Sequence, residues 1–106
     1  MADVATKKLL ENDKVIVWEM LLEPGESTGV HTHEHSYLIQ VLEGADLQAT
    51  DGNGENPIDF RFETDDTYWV TVEDGEVVLD GDRLPATHEA RNVGNSRYRE
   101  ILVEIK

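Results

Sequence analysis

The sequence predicts an all-β protein, a small antiparallel β-barrel or sandwich of jelly-roll type, on three observations. Its apolar runs are short and rich in β-branched residues. Clusters of Gly, Pro, Asn and Asp punctuate those runs, and no stretch keeps a convincing helical period. The segmentation gives about eight to ten short strands, which points to a closed or two-layered sheet.

The elements follow in order. Val4 to Glu11 reads as either one amphipathic turn or a short terminal strand. Val15 to Leu22 is a strand, stopped by Glu23-Pro-Gly-Glu26. Gly29 to His33 makes the next, and Tyr37 to Leu42 another, ending at Glu43-Gly44. Asp46 to Thr50 and Ile58 to Glu63 are the arms of a hairpin. Their connection includes Asp51-Gly-Asn-Gly54, residues that tolerate positive φ. Thr67 to Val72 precedes the turn Glu73-Asp-Gly75, and Val77 to Leu79 is a brief strand. The chain closes with Tyr98 to Ile105, where Ile101, Val103 and Ile105 share one face. Trp18, Tyr68 and Trp69 read as core or dimer-interface aromatics. Gly25, Gly44 and Gly75 are expected to supply turn conformations closed to other residues.

At 106 residues the chain is expected to be one domain, 1–106, with residues 1–12 as an N-terminal segment at a dimer interface. Cysteine is absent, so no disulfide or thiolate site exists. No apolar leader or membrane-length segment stands out, and the expected compartment is the cytoplasm. With 23 acidic against 9 basic residues the formal net charge is −14. That balance excludes a phosphate-binding basic face and disfavours anionic membranes, leaving an acidic solvated surface. Neither nucleic acid nor membrane is an expected partner.

Two histidine segments carry the chemistry. His31, His33 and His35 occupy alternate positions, and side chains two apart on a strand project to one face. His88, in His88-Glu-Ala-Arg-Asn92, can bring a third imidazole to the same place. Converging imidazoles inside a β-structure suggest a divalent transition-metal site.

Gly25, then five residues, His31-x-His33, three residues, Tyr37, six residues and Gly44 follow a known spacing. So do His88 and Asn92 as H-x3-N, with Gly75 as the glycine that opens the second segment. On these motifs the chain, over roughly Asp13 to Lys106, resembles a single-domain cupin. Within that superfamily it is similar to small cupins of bacterial β-alanine catabolism, through Asn12-Asp13, Pro24-Gly25, His31-x-His-Glu34, a Tyr-led apolar strand and the Glu104-x-Lys106 ending. Three departures stand out. Tyr37 occupies the place of the first motif's glutamate, or Leu38 does if the gap is counted one longer. The spacing from Gly75 to His88 is two residues longer than usual, consistent with an insertion around Asp80 to Arg83. Pro85 stands where the family pattern has a glycine.

The resemblance implies Fe, Mn, Ni or Zn held by His31, His33 and His88. Without the carboxylate, three neutral imidazoles leave the ion its full dipositive charge and open positions. Tyr37 is expected to hydrogen-bond a substrate or a metal-bound water, as a catalytic group and not a ligand. His35 reads as a rim group or an additional ligand. Arg61 and Arg91 are the candidate carboxylate-binding cations. The implied function is a metal-dependent enzyme acting on a small organic acid, of dioxygenase, isomerase, lyase or decarboxylase type. The alternatives are a non-catalytic binding or sensor module and a metal-free catalyst using His31 or His33 as base. A homodimer is expected because small barrels leave open sheet edges.

Overall fold

The computed structural model describes all 106 residues and contains strands and turns but no helix. It has eleven strands: β1 (Lys7–Glu11), β2 (Val15–Leu22), β3 (His31–Thr32), β4 (Tyr37–Glu43), β5 (Ala45–Asp51), β6 (Ile58–Phe62), β7 (Thr67–Glu73), β8 (Glu76–Leu79), β9 (Asp82–Pro85), β10 (Thr87–Asn92) and β11 (Tyr98–Ile105). Every pairing is antiparallel. One sheet runs β1-β2-β11-β4-β7-β8-β9, the other β3-β10-β5-β6. The all-β expectation therefore holds, and the N-terminal segment resolves as a strand. No helix is long and apolar enough to cross a membrane.

Alternation along the strands explains the core. Trp18, Met20 and Leu22 of β2, Tyr37, Ile39 and Val41 of β4, and Ala45 and Leu47 of β5 all turn inward and are buried. Their outward neighbours are polar or half-buried; Glu19, for instance, takes the Arg99 guanidinium at 2.6 Å. Trp18 is thus a core aromatic, whereas Trp69, half exposed at 50%, lies on the outer face. On β11 the inward face carries Tyr98, Glu100, Leu102 and Glu104, so Ile101, Val103 and Ile105 form the outer one. Two glutamates on an inward face are costly unless hydrogen-bonded. Glu104 meets this by accepting the Trp18 indole N–H at 2.6 Å.

The predicted strand from Gly29 to His33 shrinks to His31–Thr32, because Gly29 sits at φ +74° and breaks the extended run. The segment read as an insertion, Asp80 to Arg83, forms the turn and the start of the second arm of a hairpin. Asp80 and Gly81 connect β8 to β9, both at positive φ, just as Asp74 and Gly75 connect β7 to β8. Two-residue turns with positive φ match the twist of the flanking strands.

The remaining glycines divide by cause. Gly25 has φ +87°, as a turn residue should. Gly44 does not; a Cβ there would lie 2.4 Å from the Phe62 carbonyl oxygen, so close backbone approach excludes a side chain. The two histidine segments are also tied together at their ends. The Gly25 N–H donates to the Asn92 carbonyl at 2.8 Å. The fully buried Asn92 amide donates to the Leu22 and Ser96 carbonyls and accepts the Gly94 N–H. Asn92 is a structural clamp that fixes the end of β10 against β2.

Candidate metal centre

His31 and His88 face each other directly across the β3–β10 pair. His33 follows beyond the end of β3, its backbone N–H continuing the ladder to the Ala86 carbonyl at 3.0 Å. Equal parity places His31 and His33 on the same inward face, as the sequence spacing requires. All three side chains are buried, and their ring centroids form a near-equilateral triangle of 4.8, 4.9 and 4.9 Å. One nitrogen from each ring lies within 4.8 Å of the others.

The hydrogen bonds fix which nitrogens face the centre. A carbonyl oxygen can only accept, so His31 Nδ1 donates to Gly29 O at 3.0 Å and His88 Nδ1 donates to Pro85 O at 2.7 Å. Each therefore carries its proton on Nδ1 and keeps a lone pair on Nε2. His31 Nε2 lies 3.1 Å from His33 Nε2. Two nitrogens on one ion at about 2.1 Å lie about 3.0–3.4 Å apart for octahedral or tetrahedral angles, so the spacing suits a shared ion. His33 Nδ1 is buried without a partner. Pro85 supplies the carbonyl that orients His88.

Burial keeps these rings neutral. It lowers His31 to about 4, with the neighbouring His88 adding to the effect. It lowers His33 to about 2, with His88 and His31 as further causes, and it lowers His88 despite its bond to Pro85. Neutral imidazole is the form that ligates a transition ion. Tyr37 stacks on His33 with centroids 4.4 Å apart and planes at 20°. Burial first, then Glu100 and Glu104, raise its pKa, so the phenol stays protonated.

His31, His33, Tyr37 and His88 open onto a cavity of about 490 Å³. Its wall is mainly apolar and aromatic, with Leu47, Phe60, Phe62 and Tyr68 prominent. The β8–β9 hairpin contributes Leu79, Asp80, Asp82, Arg83 and Leu84. The segment read as an insertion therefore shapes the ligand space. Arg61 and Arg83 also contribute to the wall, but each is half exposed and already paired. Arg61 bonds Asp46 and Glu63; Arg83 bonds Glu73 and Glu76. Arg91 is exposed, outside the cavity lining, and donates to the Gly25 carbonyl. His35 lies outside the imidazole cluster.

Sequence reasoning passed over Glu100. It is buried, contributes to the cavity wall, and accepts the Tyr98 O–H on Oε1 at 2.6 Å while Oε2 has no partner. Burial pushes its carboxyl up to about 7, with the Tyr98 bond opposing. An unsatisfied buried acceptor costs about 1–3 kcal/mol. The usable signal was parity: Tyr98 and Leu102 share its face.

Comparison with solved structures identifies the fold. A cupin domain from Bordetella pertussis Tohama I matches with a TM-score of 0.69 at 18% identity, covering 96% of each chain. An RmlC-like cupin family protein with a double-stranded β-helix fold, from Methanocaldococcus jannaschii, matches with a TM-score of 0.62 at 12% identity, covering 93% of this chain and 76% of the other. A double-stranded β-helix protein from Klebsiella pneumoniae reaches 0.58 at 20% identity, covering 92% of this chain and 72% of its own. No protein-family model matches the sequence, and no curated protein matches it. The chain has the cupin fold, a jelly roll with a three-histidine cluster that fits a metal site; a shared fold leaves the reaction open.

Proposed function

We propose that this protein is a metal-dependent enzyme acting on a small organic acid or related metabolite in the cytoplasm. His31, His33 and His88 would hold one divalent transition ion, Fe, Mn, Ni or Zn. The observation that carries this reading is the convergence of three buried imidazoles on the wall of a largely apolar cavity. When bound, the ion would polarise a ligand oxygen or acidify a bound water. Tyr37 supports catalysis as a protonated phenol packed on His33, able to donate a hydrogen bond to the ligand. The apolar wall excludes water from the remainder of the ligand. The resemblance of the histidine segments to small cupins of β-alanine catabolism supports a small organic acid as the substrate. Elemental analysis of the untagged protein should find about one divalent transition ion per chain. Protein purified without metal that also binds no added cobalt or nickel would sink the proposal. Turnover by the loaded protein separates an enzyme from a binding module.

The homodimer belongs to the same reading. Strand β1 is an exposed sheet edge. An outer stripe crosses five strands through the register pairs Leu10–Val17, Val17–Val103, Val103–Leu38 and Leu38–Trp69. Covering an edge and an apolar stripe together favours self-association. Light scattering at micromolar concentration should give twice the 12.0 kDa chain mass. A monomer mass would refute the dimer.

A further inference from the structure

The cavity wall holds a polar group that the three imidazoles leave unused. Glu100 sits on the inward face of β11, opposite Met20 on one side and Val41 on the other. It is 4% exposed and lies outside the imidazole cluster. Its neighbour on the same face, Glu104, is absorbed into packing by the Trp18 indole. Glu100 is absorbed on one oxygen only. Tyr98 bonds Oε1, and Oε2 stays buried without any donor. The arginines of the wall, Arg61 and Arg83, are engaged with other carboxylates. Buried polar atoms in folded proteins almost always find a partner, and an exception in a cavity wall points to one supplied from outside the chain.

We propose that Glu100 is a second ligand-binding pole of the cavity, whose Oε2 accepts the O–H of a compact ligand with an apolar body. The body would rest on the aromatic wall of Phe60, Phe62 and Tyr68. Joined to the metal-site reading, on which this last step rests, the pole specifies the substrate class. It is a small hydroxy acid, its carboxylate at the imidazole end and its hydroxyl on Glu100. Selectivity follows from the unpaired acceptor, because a ligand lacking the donor leaves that acceptor unsatisfied.

The pole can be tested without the metal. Phenol and acetophenone, the one a donor and the other only an acceptor, are titrated into the chelator-treated full chain at pH 8.5 by ¹H–¹⁵N NMR. Phenol is expected to bind about tenfold more tightly than acetophenone. Glu100→Gln keeps an amide oxygen for Tyr98 but turns N–H toward the ligand, so the order should equalise or reverse. Tyr98→Phe, which leaves the carboxylate in place, should retain the phenol preference. Equal affinities in the parent, no binding of either probe, or a preference that survives Glu100→Gln would each overturn the proposal. So would its loss in Tyr98→Phe. A phenol preference in a chain that elemental analysis finds unable to bind metal would leave the pole standing and remove the metal centre.

Discussion

Replacing His31, His33 or His88 with alanine is expected to lower the affinity for a divalent ion by more than about 100-fold, whereas Tyr37→Phe should stay within about tenfold of the parent. The asymmetry rests on protonation as well as position. The three rings are neutral and two of them are locked by carbonyls into the tautomer that frees Nε2. Tyr37 is held as a neutral phenol by burial and by Glu100 and Glu104, so ligation as phenolate would have to overcome both. Its ring also packs on His33, and Tyr37→Phe preserves that stacking while removing only the hydroxyl. His35→Ala should leave affinity unchanged, since His35 is outside the cluster. Isothermal titration with cobalt or nickel, with circular dichroism to verify folding, decides the matter. If Tyr37→Phe loses metal as completely as His88→Ala, the phenol is a ligand and the three-histidine centre is wrong. If none of the histidine variants changes affinity, the ion binds elsewhere.

What the sequence made legible was whatever depends on period and spacing. The parity of His31 and His33, the register of His88 against Asn92, and the hairpin of β5 and β6 all emerged as expected. What it concealed depends on which face of a strand the fold buries. In β11 the face of Ile101, Val103 and Ile105 looks like the better core face, yet the face with Glu100 and Glu104 goes inside. Tertiary partners reverse the hydropathy there, the Trp18 indole for Glu104 and the Tyr98 hydroxyl for one oxygen of Glu100. The β8–β9 hairpin was hidden differently. Comparison with a familiar spacing made Asp80 to Arg83 an insertion, although Asp80-Gly81 between short apolar segments is itself a strong hairpin signal. The roles of the motif glycines were only half visible, since Gly44 serves backbone approach and not a turn conformation.

Glu100 should give the pH dependence of folding a component that falls between about pH 4.5 and about pH 7. Its carboxyl is fully buried and rises from about 4.5 to about 7, so between those values the folded chain holds a proton that the unfolded chain has released. Stability therefore falls as pH rises: the contribution is complete below about 4.5 and lost by the time pH passes about 7. A shift of this size is worth about 3 kcal/mol, as an order of magnitude. The three imidazoles act in the opposite sense. Their folded-state pKa values are depressed, so their contribution is complete above about 6.5 and is lost as pH falls toward about 4 for His31 and about 2 for His33. Wild-type stability alone would mix the two trends, and a difference measurement separates them. Glu100→Gln removes the titrating group, keeps an acceptor for Tyr98 and leaves the imidazoles untouched. Urea unfolding of chelator-treated protein at pH 4.5 and pH 8 should show the variant gaining about 3 kcal/mol relative to the parent across that interval. Parallel stability curves for the two chains would mean that Glu100 titrates as an ordinary carboxylate, with Oε2 hydrated in solution. A variant that instead loses ground as pH rises would mean that Glu100 is held ionised in the folded chain by a cation within its reach.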